Sequence, residues 1–208
     1  MEQIGTGQAH LAAAWLPSTQ RLLEIGCSTG YLTSRFLGRA RRTFGLDINL
    51  KALRSAKRRH PTVPLVCSDV EHLPFADGSF DVVVMLEVIE HVGSDLAAIA
   101  EIRRILRVGG TLILSTPHAG TFAFLDPYNL KRAIYRRLPL AYTAARGLVR
   151  YGSGQYTENL ERHRHYRMAQ LAARLEPYFV IRNVHRGGLL LYPVLGACIG
   201  LEIGRAHV

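Results

Sequence analysis

Over the first 115 positions, short apolar runs alternate with stretches whose apolar residues recur at helical spacing, a rhythm that predicts βαβ units. Arg21-Leu22-Leu23-Glu24-Ile25 reads as a buried strand ending at Gly26; Leu32 and Phe36, one turn apart, mark a helix from Thr29 to about Leu37. Thr43 to Leu46 gives a second strand ending at Asp47, and Leu50 and Leu53 mark the helix after it. Val63 to Val66 is a third strand ending near Asp69. Val82 to Leu86 is an unbroken apolar run, as a central strand covered on both faces requires. Ser94 can cap a helix carrying Leu96, Ile99, Ile102, Ile105 and Leu106, which Gly109-Gly110 stops; Leu112-Ile113-Leu114 makes a fifth strand. The implied fold is a Rossmann-like α/β domain: a mostly parallel, twisted sheet with helices on both faces.

After Pro117 the rhythm breaks. Residues 118–165 read as an aromatic, basic insertion after the fifth strand. The pattern resumes over 166–202 with a helix bearing Met168, Leu171 and Leu175, a strand at Phe179-Val180-Ile181 and an apolar tail from Gly187. Residues 203–208 match one reading frame of a common sequencing adapter, so they are expected to be the artefactual end of a truncated fragment. At 208 residues, the chain suits one domain, with a core over 19–117.

Composition narrows the class. Hydrophobic residues at 48% and charged residues at 20% argue against disorder. Three cysteines (Cys27, Cys67, Cys198) without paired spacing disfavour a disulfide framework or zinc cluster and fit a reducing cytosol. The first residues lack a basic region followed by an apolar core, so no signal peptide is expected. The net charge of +10 is uneven: residues 1–130 hold 13 basic and 12 acidic side chains, whereas 131–167 hold 9 and 2. That concentration implies a surface facing phospholipid, a phosphorylated carrier or nucleic acid, unless it is only a solvated face.

The chemistry concentrates at strand ends. Glu24-Ile25-Gly26-Cys27-Ser28-Thr29-Gly30 runs from a strand into a glycine turn where backbone can approach a ligand closely. Asp47, 17 positions after Gly30, is placed to accept both hydroxyls of a ribose, and Asp69 can accept from an adenine amino group. The three positions share the edge where open α/β sheets bind ligands.

These residues resemble the class I S-adenosylmethionine-dependent methyltransferases, and within them the group typified by ubiquinone and menaquinone biosynthesis enzymes. The likeness runs from Leu22 to about Pro117. It is carried by the glycine loop, by Leu73-Pro74-Phe75-Ala76-Asp77-Gly78-Ser79-Phe80-Asp81-Val82-Val83 and by Glu87-Val88-Ile89-Glu90-His91-Val92. It implies S-adenosylmethionine as cofactor, with Glu24, Gly26, Cys27 and Gly30 at the methionine end and Glu87 nearby. Asp47 and Ile48 would hold ribose and adenine, and Asp69 and Val70 adenine. Many relatives have glycine where Ser28 stands.

The alternatives are a nicotinamide-dependent oxidoreductase, a non-catalytic cofactor-binding protein and, because Gly26 to Gly30 spells Gly-x-Ser-x-Gly, a hydrolase. The loop lacks Gly-x-Gly-x-x-Gly spacing, and too little chain precedes Ser28 to supply an oxyanion donor. The acceptor is read as a small or lipid-linked molecule (quinone, glycan or lipid precursor) methylated on oxygen, with His118 and His91 as candidate general bases. His163 and His165 are weaker candidates. No metal is expected, although Glu87, Glu90 and His91 could together hold a divalent cation.

The insertion is expected to choose the acceptor. In its stretch 131–150, Ile134, Leu138 and Tyr142 could face a bilayer while Lys131, Arg132, Arg136 and Arg137 meet anionic headgroups. That makes the chain cytoplasmic and associated with the inner membrane face. Nucleic acid is disfavoured, because Tyr135, Tyr142 and Tyr151 are too irregular to form stacking platforms.

Overall fold

The structure is a computed structural model that describes residues 12–116, 137, 164–186 and 199–204. One sheet holds seven strands: β1 Thr19–Ile25, β2 Ala40–Asp47, β3 Leu65–Cys67, β4 Phe80–Leu86, β5 Leu106–Ser115, β6 Ile181–Arg186 and β7 Ile199–Gly204. Their order is β3-β2-β1-β4-β5-β7-β6. β1 to β5 are parallel, and β7 pairs antiparallel with both β5 and β6. The strand order reverses between β1 and β4, which opens a crevice outside their carboxyl ends.

Helices α1 Thr33–Phe36, α2 Leu50–Arg59, α3 Asp95–Ile105 and α4 Met168–Leu175 cover the sheet. Because side chains alternate along a strand, each strand feeds two cores. Leu23, Ile25, Val83, Met85, Leu112 and Leu114 pack with Ile99, Ile102 and Ile105 of α3 and with Leu171 and Leu175 of α4. Leu22, Val82, Val84 and Ile113 pack on the other side with Phe36 of α1 and with Ala12 and Ala13. The apolar run of β4 is thus buried on both faces, as its sequence implies.

Several boundaries differ from the sequence pattern. The helix expected from Thr29 starts at Thr33 and lasts one turn. Ser28 (φ 47°) and Gly30 (φ 76°) adopt left-handed backbone, and the Gly30 amide donates to Cys27 O at 2.8 Å, closing a turn. α3 stops at Ile105, and Leu106 already pairs in β5. Gly109-Gly110 therefore end no helix. They lie in a bulge where Phe80 and Val82 face Leu106 and Thr111, with Gly109 at φ 73°. Leu96 is exposed, so the buried row of α3 is Ile99, Ile102 and Ile105.

Ser94 does cap α3, accepting from the Ala97 amide at 3.2 Å. β3 begins at Leu65, just after Pro64, which has no amide to give a ladder. Phe179 goes to the core and β6 starts at Ile181. Nearly all of the insertion over 118–165, His118 and His163 included, lies outside the described residues, as does 205–208; Ile203 and Gly204 pair with Leu112 and Thr111.

Candidate functional site

The glycine loop is fastened to the end of β2. The Gly26 and Cys27 amides both donate to Leu46 O, at 2.8 and 3.0 Å. One residue on, the Ser28 amide donates to Asp47 Oδ2 at 2.7 Å, and the Asn49 amide donates to Asp47 Oδ1 at 2.8 Å. Asp47 is buried, and its carboxylate still has roughly two unused acceptor directions. Asn49 in turn caps α2, accepting from the Lys51 and Ala52 amides.

Gly26 can be nothing larger. Its φ is 78°, and an added Cβ would lie 2.3 Å from Val88 Cγ2. Cys27 is buried; desolvation, with the charges of Glu24 and Asp47, pushes its thiol pKa up, so it stays protonated. Gly30 O lies 2.7 Å from His60 Nε2, a contact that holds the far end of the loop against α2.

Glu24 lies under the loop. Its carboxyl is buried and accepts from Thr33 Oγ1 at 2.5 Å. Burial pushes its pKa up to about 7, the Thr33 bond opposes that, and the charge of Asp47 adds to it. Beside β2, Ile48 is 69% exposed. The Ser68 amide donates to Asp47 O at 3.2 Å, which brings Asp69 to the same edge. Asp69 is exposed and its Oδ1 accepts from the Glu71 amide, whereas the Val70 side chain packs into the core.

The ends of β4 and β5 form the other wall. Glu87, the residue after β4, has φ 56°, a backbone region that non-glycine residues occupy rarely and often at functional sites. Its amide donates to Ser115 O, and its Oε1 accepts from Ser115 Oγ at 2.8 Å. The short 3-10 turn Ile89–His91 follows. Glu90 is buried, its Oε2 accepting from Thr116 Oγ1 at 3.1 Å while its backbone oxygen accepts from the Arg164 amide at 3.1 Å. Both flanks of the segment 117–163 therefore meet at Glu90. Tyr166 reinforces this, its hydroxyl 3.1 Å from Asp95 Oδ2.

His91 Nε2 is 3.9 Å from Glu90 Oε1, and desolvation lowers its pKa. Among the described residues no group of three or more His, Cys, Asp or Glu is arranged to hold a metal ion. The carboxylates of Glu87 and Glu90 accept from different hydroxyls, Ser115 and Thr116.

The crevice thus gathers Gly26, Cys27, Gly30, Asp47, Ile48, Asp69 and Glu87 along one edge, with Glu24 beneath it and His91 at its flank. Sequence reasoning missed the supports: Thr33, Val88, Ser115 and Thr116. Only Val88 lay in a recognised motif.

Residues 23–114 match the family model described as a methyltransferase domain. A curated relative from Mycolicibacterium smegmatis, named "Probable S-adenosylmethionine-dependent methyltransferase", is 37% identical over 102 residues, covering 49% of this chain and 40% of the relative. Residues 23–114 are thus similar to a methyltransferase domain, and to the corresponding part of an enzyme named as S-adenosylmethionine-dependent. The demethylmenaquinone methyltransferase of Renibacterium salmoninarum is 32% identical to it over 118 residues, 55% of this chain and 50% of that protein. These matches span half or less of the relatives' own length.

The methyltransferase fold extends further than the sequence likeness. The N-methyltransferase NodS of Bradyrhizobium japonicum, solved in complex with S-adenosyl-L-homocysteine, superposes with a TM-score of 0.66 at 16% identity. The match covers 97% of this chain and 85% of that one.

Proposed function

We propose that this methyltransferase domain transfers a methyl group from S-adenosylmethionine to a hydroxyl of a small or lipid-linked acceptor such as a quinone, glycan or lipid precursor. The observation that carries the reading is Asp47: a buried carboxylate fixed by two backbone amides, with acceptor capacity left over, beside the exposed apolar Ile48. A ribose diol suits the first and an adenine face would cover the second.

Bound there, the cofactor supplies a methyl made electrophilic by its positively charged sulfur. The remaining work falls to the chain. Asp47 accepts from the ribose hydroxyls, Asp69 accepts from the adenine amino group, and Val70 contributes backbone beside it. The open backbone of Gly26, Cys27 and Gly30 admits the methionine end, which Glu87 faces and Glu24 supports from below through Thr33. Holding an acceptor in line can supply roughly 7–11 kcal/mol of the barrier.

A general base then takes the hydroxyl proton, adding about 10²–10⁴-fold. His118, two residues past Thr116, and His91 are the candidates. His91 suits the role because its lowered pKa keeps the imidazole neutral near pH 7. Since both flanks of 117–163 converge on Glu90, that segment is read as the acceptor-binding region. Its basic stretch 131–150 is read as meeting an anionic, cytoplasmic membrane face. No described helix is long and apolar enough to cross a membrane.

The test is incubation with methyl-labelled cofactor and a panel of quinone, glycan and lipid-linked acceptors. Label should appear as a methyl ether, and the rate should fall about 10²–10⁴-fold in His118→Ala or His91→Ala. Cofactor binding without transfer to any acceptor would instead favour a non-catalytic binding protein.

A further inference from the structure

Between residues 35 and 59 the chain carries nine basic side chains and one acidic one. The acid is Asp47, buried and fixed by backbone amides. All nine cations are exposed, and among the described residues none is ion-paired to an acidic side chain. On α2, Lys51, Arg54 and Arg58 recur at helical spacing, opposite the buried Leu53 and Ala56. Arg35, Arg39 and Arg41 extend the charge through α1 and β2. The two helices are neighbours: His60, at the end of α2, contacts Gly30 O, and the Arg59 guanidinium stands 5.8 Å over the Tyr31 ring.

This density is not an average property of the chain. Residues 60–130 hold three basic and nine acidic side chains, so the α1/α2 surface is a local excess. It also carries two large apolar side chains that the fold does not bury, Leu37 at 41% and Leu50 at 51% exposure. Cations interleaved with exposed leucines are what an anionic bilayer binds: headgroups pair with the charges and the leucines enter the acyl boundary. A single-stranded nucleic acid would instead need exposed rings to stack bases, and the ring at hand, Tyr31, lies beneath Arg59.

We infer that the α1–β2–α2 surface docks on an anionic phospholipid membrane, independently of the segment 131–150. The surface runs along α2 from Leu50 to Arg59, beside the glycine loop.

Co-sedimentation of the full chain with phosphatidylcholine vesicles, with and without a third phosphatidylglycerol, tests this. Binding should require the anionic lipid, weaken with salt and fall about fivefold for each basic side chain removed. R54E/R58E should therefore sediment at least about twenty-fold less well, even when Lys131, Arg132, Arg136 and Arg137 are already alanine. Leu37→Ser should weaken binding further with no change in salt dependence.

Unaltered sedimentation of R54E/R58E overturns the inference, as does displacement from vesicles by an oligonucleotide that binds more tightly. Binding of S-adenosyl-L-homocysteine, measured on the same samples, should be unchanged. Its loss in the unmodified chain would count against the methyltransferase reading instead.

Discussion

The two sides of the sheet treat their basic side chains in opposite ways. On the α3/α4 side, basic groups are tied to acids or to backbone. Arg104 donates to Glu101, Asp77, Phe75 O and Leu73 O; Arg107 pairs with Asp81, and Arg174 with Asp95. The Arg104 hydrogen bond holds the Glu101 carboxyl below its ordinary range. On the α1/α2 side no described cation of residues 35–59 meets an acid, and Arg39 and Lys57 donate only to the backbone oxygens of Ala13 and Val63; a carboxyl is buried at Glu24, and Ser28 and Gly26 hold left-handed backbone. One side ties its arginines to acids within the domain; the other leaves its cations facing outward beside the ligand edge.

The largest break in this comparison should come from Gly26→Ala. The added methyl meets Val88 in a left-handed turn, and the cost should be about 4 kcal/mol in urea unfolding. Adding Val88→Ala should return the packing part and leave the backbone part. If the single variant is as stable as the parent, the loop is not strained.

Glu24→Gln should come next, in the opposite direction. The folded pKa of Glu24, about 7, lies above its ordinary 4.5. Its protonated form therefore favours folding at low pH, and that contribution fades as pH rises from about 4.5 to 7. Compared without ligand, the glutamine variant should match the parent at pH 4 and exceed it by up to about 3 kcal/mol at pH 8. A pH-independent difference would remove Glu24 from this role.

Arg104→Ala should cost about 2 kcal/mol, because two backbone oxygens and two carboxylates lose a shared donor. Arg54→Ala should change stability by less than about 0.5 kcal/mol, since it holds nothing in the fold. Equal losses for these two arginines, measured side by side by thermal unfolding, would erase the contrast between the two sides.

How far the sequence disclosed this depends on which physics was local. The strands were legible because β1 and β4 are buried on both faces, which leaves runs such as Val82-Val83-Val84. Asp47 was legible because a carboxylate at a strand end next to a glycine loop has few structural reasons to be there. The start of α1 was not, since its delay rests on the left-handed φ of Ser28, which a serine does not announce. The bulge at Gly109 looked like a helix stop because glycine serves both purposes. The α1/α2 charge escaped notice for a simpler reason. Over residues 1–130 it is cancelled by the acidic stretch that follows it, of which Asp77, Asp81, Asp95 and Glu101 are already paired with arginines.

The crevice lined by Asp47 is tested most directly by titrating S-adenosyl-L-homocysteine into the folded chain in a calorimeter. Saturable one-to-one binding should appear and weaken roughly ten- to a hundredfold in Asp47→Ala, as the loss of charge-assisted hydrogen bonds demands. No heat of binding from folded protein, or equal affinity in the alanine variant, would contradict it.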